Sequence, residues 1–139
     1  MELIEWNLEY SVGVSEIDEQ HKDLMSIING AIYYSSSNNK EERIYLDRTI
    51  ISTIKFIENH FKTEELYLSK TNYEEYNKHK LEHKKILENI QTTKYEIQNN
   101  NIEINLFNIA TCLKGLFLDH IKLFDKKAEG YFLEGKNKQ

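Results

Sequence analysis
Apolar residues recur along this chain in steps of three and four, the period of a helix with one buried face. One such stripe runs Ile17, His21, Leu24, Ile28, Ala31, and a second runs Leu46, Ile50, Thr53, Ile57, His60, Glu64, Leu68. A third is Tyr76, His79, His83, Ile86, Ile90, and a fourth is Leu106, Ile109, Leu113, Leu116, His120, Leu123. There is no proline to force a break, and turn-forming residues cluster at SSSNN (35–39), SKTN (69–72) and NNN (99–101). Ser15 with Asp18, and Thr71 with Glu74, have capping-box-like spacing at helix starts. The expectation is an all-α protein: one domain over 1–139, with an arm over 1–15 and helices over about 16–36, 40–69, 72–98 and 103–127. Four amphipathic helices with short connections fold as an up-down-up-down four-helix bundle.

At 139 residues the chain is one domain in size, large enough to bury a core without disulfides. A net charge of −5 argues against a nucleic-acid partner, since phosphate binding needs surplus Lys and Arg. No apolar run approaches the roughly 18 residues of a membrane span. The start, MELIEWNLEY, lacks the basic-then-apolar pattern of a secretory signal. With a lone Cys112 that cannot pair internally, a cytoplasmic protein is expected, as a monomer with no membrane partner. Cys112 itself reads as a small half-buried hydrophobe.

All five histidines of the sequence stand on the apolar stripes, where leucines would be expected, and every helix contributes at least one. A core stripe takes roughly 2 of every 7 positions, so five placements would coincide about once in 500. One buried histidine is usually a core side chain with its hydrogen bonds met. Five in one core need a common partner, and Glu64, one turn after His60, would be a costly buried charge without one. A cation answers both needs. His60 and Glu64, and likewise His79 and His83, are four apart and share a helix face. His120 and Asp125 are five apart, about 140° on a regular helix, so spacing leaves Asp125 open as a ligand or a solvated acid.

These residues resemble the hemerythrin family, specifically its single-domain bacterial members. The pattern is Trp6 in the arm, then Val12-Gly13-Val14, then Ile17-Asp18-Glu19-Gln20-His21. His60-Phe61-Lys62-Thr63-Glu64-Glu65 follows, then His79 and His83, then His120-Ile121-Lys122-Leu123-Phe124-Asp125. The match spans residues 6–125, and it is the four motifs in order that make it specific. The resemblance implies two iron ions with an oxo or hydroxo bridge. It assigns His79, His83 and His120 to one ion, His21 and His60 to the other, and Glu64 and Asp125 to both. One ion would then be six-coordinate and the other five-coordinate, and an open position on a redox metal is where a small molecule binds.

The implied function is reversible dioxygen binding, for storage, delivery or sensing, without catalysis. The implied pocket walls are Leu24, Phe61, Leu116 and Ile121. The alternatives are a di-iron enzyme that reduces dioxygen, peroxide or nitric oxide, and a metal-storage bundle. Glu65, about 100° off the stripe, is expected to play a surface or supporting role. If His120 and Asp125 both serve, the helix between them must widen into a π-type turn or end. One departure from the family stands out. Where its members commonly carry Trp, four residues before the last histidine, this chain has Leu116 beside Gly115. That stretch would thin one wall of the pocket, unless Gly115 serves only to let two helices approach.

Overall fold
The computed structural model describes residues 2–35, 42–99 and 105–138. The first turn cluster, 35–39, and the last, 99–101, therefore fall largely outside the described residues. Four long helices form: α1 (Ser15–Ser35), α2 (Glu42–Ser69), α3 (Tyr76–Gln98) and α4 (Leu106–His120). α4 continues without a break into a π turn, Ile121–Asp125. A short fifth helix, α5 (Glu129–Asn137), follows; the sequence reading had ended the helices at 127. α1 lies between α2 and α4, and α3 packs on the other side of α2, giving the expected bundle.

The stripes become the core. Ile17, Leu24, Ile28, Leu46, Ile50, Leu68, Ile90 and Leu106 are all 0–2% exposed. The buried apolar residues divide into two clusters. One fills the bundle from Leu24 and Ile28 to Ile97 and Leu106, and Ile4 of the arm reaches into it. The other joins Val12, Val14 and Ile17 to Tyr67, Leu68, Ala128 and Phe132. The arm and α5 thus close one end of the bundle.

Local hydrogen bonds fix the arm. Asn29 Nδ2 donates to Ile4 O at 2.9 Å, and Ile4 N donates to Asn29 Oδ1 at 2.7 Å. Asp18 Oδ1 accepts from Val12 N at 2.9 Å, so this acid ties the arm to the start of α1. Gly13 makes the turn between them at φ +75°, in the left-handed region. Neither expected cap forms as spaced: Ser15 is the first residue of α1, and Asp18 accepts from Ser11 and Val12 rather than pairing with Ser15. Thr71 Oγ1 accepts from Tyr73 N at 3.3 Å within a turn, and α3 begins only at Tyr76, with Glu75 before it.

Two sequence expectations need correcting. Leu123 was placed on the buried stripe but is 65% exposed, whereas Asp125 is fully buried. The cause is the π turn, in which Lys126 N bonds back five residues to Ile121 O at 2.9 Å. The extra residue in that turn swings Leu123 out and Asp125 in. Gly115 does not mediate a helix contact either, because a Cβ there would meet open space. The glycine that does is Gly135 of α5, whose Cβ would lie 2.1 Å from Tyr67 O on α2. Gly135→Ala should therefore push α5 off α2 and cost about 1–3 kcal/mol, read as a lower midpoint in denaturant unfolding. Gly115→Ala should be neutral or slightly stabilising in the same experiment.

Candidate metal centre
Between the two apolar clusters lies a polar one. His21, His60, Glu64, His79, His83, His120 and Asp125 are each 0–2% exposed. α1 brings His21, α2 brings His60 and Glu64, α3 brings His79 and His83, and α4 with its π turn brings His120 and Asp125. Regular α-helix suffices for the pairs four apart. The π turn is what lets His120 and Asp125 face the same space.

Glu64 sits at the middle. Its Oε2 lies 2.7 Å from His60 Nε2 and 3.3 Å from His21 Nε2. Its Oε1 lies 3.0 Å from His83 Nε2, 3.1 Å from His79 Nε2 and 3.5 Å from His120 Nε2. Asp125 Oδ1 approaches His120 Nε2 at 3.0 Å and His79 Nε2 at 3.2 Å, and Oδ2 approaches His21 Nε2 at 3.1 Å. The atoms fall into two groups, each of which could hold a cation. One is Glu64, His79, His83, His120 and Asp125; the other is His21, His60, Glu64 and Asp125, with ligand atoms within 4.8 Å of one another in each. Both carboxylates belong to both groups.

The fit to cations rests on what these atoms fail to do for one another. Both oxygens of Asp125 and His60 Nε2 are buried without a hydrogen-bond partner among the described residues, despite neighbours at 2.7–3.2 Å. Their approach is close but misaligned for hydrogen bonding. His83 Nε2 and His120 Nε2 face each other at 3.1 Å, a contact that only a proton or a cation makes favourable. Charge tells the same story. Burial pushes the His120 imidazole down, but the Asp125 and Glu64 carboxylates outweigh it and hold it up at about 10. The same balance of burial against those carboxylates holds His21 and His79 at about 9. At His60 burial wins over Glu64 and the imidazole is lowered. Burial alone would raise Glu64 and Asp125, yet the surrounding imidazoles hold both carboxyls below their ordinary values. Protons on imidazoles thus balance the carboxylates in the metal-free chain, a task divalent cations perform with every imidazole neutral.

Two imidazoles are oriented from behind. His60 Nδ1 donates to Gln20 Oε1 at 2.7 Å, and Gln20 is itself held by donating to Thr63 Oγ1 at 3.2 Å. His83 Nδ1 donates to Glu65 Oε2 at 2.8 Å, which gives Glu65 the supporting place expected for it. Both bonds leave Nε2 as the ligand nitrogen. In the sequence Gln20 stands out only as part of a motif. Gln20→Leu should keep the fold but weaken metal retention about tenfold or more, measured by competition with a chelator.

Aromatic rings wall the cluster. Phe61 stacks on His83 at 3.8 Å and 4°, and Phe117 meets His21 edge-on at 5.5 Å. Leu24, Phe61 and Leu116, three of the four residues expected to wall the pocket, line a cavity of ≈ 10 Å³ together with Phe117 and His120. Ile121, fully buried, is not among its lining residues. Phe117 is the ring that covers His21, while Leu116 is only half-buried.

A helical bundle with a metal-capable core of five imidazoles and two shared carboxylates is the class that fold and site define. No family model matches the chain. Among curated proteins it is 24% identical over 127 residues to the bacteriohemerythrin of Methylococcus capsulatus, covering 91% of this chain and 94% of that one. It is 29% identical over 93 residues to the bacteriohemerythrin of Clostridium acetobutylicum, covering 63% and 68%. It is also 25% identical over 126 residues to the myohemerythrin of Theromyzon tessulatum, covering 91% of each. A crystal structure of wild-type hemerythrin shares the fold with a TM-score of 0.83 at 23% identity, covering 94% of this chain and 98% of that chain. Motifs, fold and these likenesses together make the chain similar to the hemerythrins in sequence and in fold.

Proposed function
We propose that the protein binds dioxygen reversibly at a di-iron centre, as a carrier, store or detector rather than an enzyme. One ion would be held by His79, His83 and His120, the other by His21 and His60, and Glu64 and Asp125 would bridge them. The observation that carries the reading is the division of the buried ligands into two unequal groups that share both carboxylates. Three imidazoles and two carboxylates would go with one ion, and two imidazoles and the same carboxylates with the other, which would leave the second a position for an exogenous ligand. Two ferrous ions, when bound, would supply the two electrons with which dioxygen is held and then returned.

The chain's own residues favour return over consumption. Besides Glu64 and Asp125, no carboxylate among the described residues is buried in the cluster to deliver protons. Glu65 already accepts from His83. Phe61, Phe117, Leu24 and Leu116 present hydrocarbon, which keeps water from the centre. Among the described residues no helix is long and apolar enough to cross a membrane. The test is optical. The anaerobically reduced, iron-loaded protein should gain a charge-transfer band in air and lose it again when dioxygen is removed. Sustained dioxygen uptake with an added electron donor would instead assign an oxidase, and failure to load iron would assign another metal.

A further inference from the structure
We propose that the outer ridge of α3 is a docking surface for an acidic one-electron carrier protein that returns the centre to its reduced form. The inference rests on the di-iron reading above. The candidate ligands are 0–2% exposed, so dioxygen can diffuse to them but a protein reductant cannot touch them. Electrons must cross a layer of protein, and the structure offers two thin places, one on each flank of α3.

On one flank a groove of ≈ 620 Å³, lined by Lys80, Lys84 and Leu87, reaches Glu65 and His83. Glu65 is 22% exposed there, and its carboxylate is bonded directly to His83 Nδ1 at 2.8 Å. On the other flank a groove of ≈ 420 Å³, lined by Lys78, Lys85 and Leu123, reaches Phe124. That half-buried ring stacks on His120 at 5.6 Å and 15°, and meets His79 edge-on at 5.9 Å. The first groove thus reaches a ligand imidazole itself, and the second ends one residue away from two. Leu81, 50% exposed, stands on the crest between them and lines both.

The charge of this ridge is opposite to that of the molecule. Residues 78–85 carry four lysines against one glutamate, in a chain of net charge −5. Four acids face the two grooves against five lysines, and two of the four are matched. Glu75 pairs with Lys127 at 2.5 Å and Lys78 at 3.8 Å, Glu65 turns inward to His83, and Glu82 and Glu88 remain at the rims. An exposed leucine ringed by lysines suits a brief, charge-steered encounter with an acidic partner. Each encounter moves one electron from the reduced carrier to one ferric ion, leaving a ferrous ion and an oxidised carrier. Two encounters restore both irons, and no bond in the chain is broken.

A reduced, acidic [2Fe–2S] ferredoxin serves as the probe. Its oxidised form, added to zinc-loaded protein, should broaden the amide signals of residues 78–88 in NMR spectra, and high salt should abolish the effect. In stopped-flow mixing, the reduced ferredoxin should convert ferric protein to ferrous about tenfold or more slowly in K80E/K84E than in the parent chain. Reduction by a small neutral hydroquinone, and the thermal melt, should be the same in both. Broadening elsewhere or none at all, or equal ferredoxin rates, overturns the docking surface. So does equal broadening of the ridge by anionic vesicles, which would make it a general anion surface. If the chain takes up no reducible iron, the di-iron reading fails by itself, while the zinc-protein spectra still decide whether α3 binds the carrier.

Discussion

Protein stripped of its metals should melt at least about 10 °C below the loaded form. Seven buried groups meet in the centre of the bundle, and without a cation they hold one another in place poorly. Asp125 has both oxygens unpartnered, and His60 keeps an imidazole nitrogen unpartnered 2.7 Å from Glu64. Each buried polar atom left in that state costs about 1–3 kcal/mol. Cations that bind the folded chain and not the unfolded one add their binding free energy to stability. Loss of even about 3 kcal/mol moves the midpoint of a domain this size by about 10 °C. The metal-free chain should still unfold cooperatively, since the apolar clusters around Leu24 and Phe132 lie on either side of the centre. Calorimetry with and without a chelator is the check, and superimposable curves would mean that the cluster holds no metal.

Much of this arrangement was legible before any coordinate, because period and chemistry coincide. His21, His60, Glu64, His79, His83 and His120 each occupy a position where the 3.6-residue repeat demands a core residue, so one pattern fixed both burial and convergence. Asp125 was legible only through resemblance. The same repeat that placed six residues correctly put Leu123 inside, because periodicity assumes an unbroken helix and the π turn breaks it. No local residue preference announces a π turn; only the need for two ligands five apart does. Contacts made across elements were hidden for a different reason. Gln20 bonds to His60 forty residues away, and Gly135 packs on Tyr67 across sixty-eight, so neither role leaves a mark in its own neighbourhood. The contact of Phe117 with His21 was hidden in the same way, since which side of α4 faces His21 depends on α1.

Neighbouring glutamates on α2 should behave very differently when each is changed to glutamine. Glu64→Gln should abolish retention of metal at both positions, whereas Glu65→Gln should leave the stoichiometry intact and weaken retention about 10–100-fold. Glu64 has an oxygen within 3.5 Å of all five imidazoles, and no other described residue does; Asp125 reaches only His21, His79 and His120 within that distance. An amide in its place removes one negative charge from the shared edge of both groups. It also points an NH2 at nitrogen atoms that must present lone pairs to a cation. Glu65 stands behind His83, where glutamine can still accept from Nδ1 through its carbonyl oxygen. What it withdraws is the negative charge that strengthens the imidazole as a donor to metal. Both variants should fold, since neither touches the apolar clusters, and matching circular dichroism spectra would establish that. Metal analysis after gel filtration, followed by chelator competition for Glu65→Gln, separates the two outcomes. Full metal content in Glu64→Gln would remove it from the bridging position, and loss of metal from Glu65→Gln as complete as from Glu64→Gln would make Glu65 a ligand in its own right.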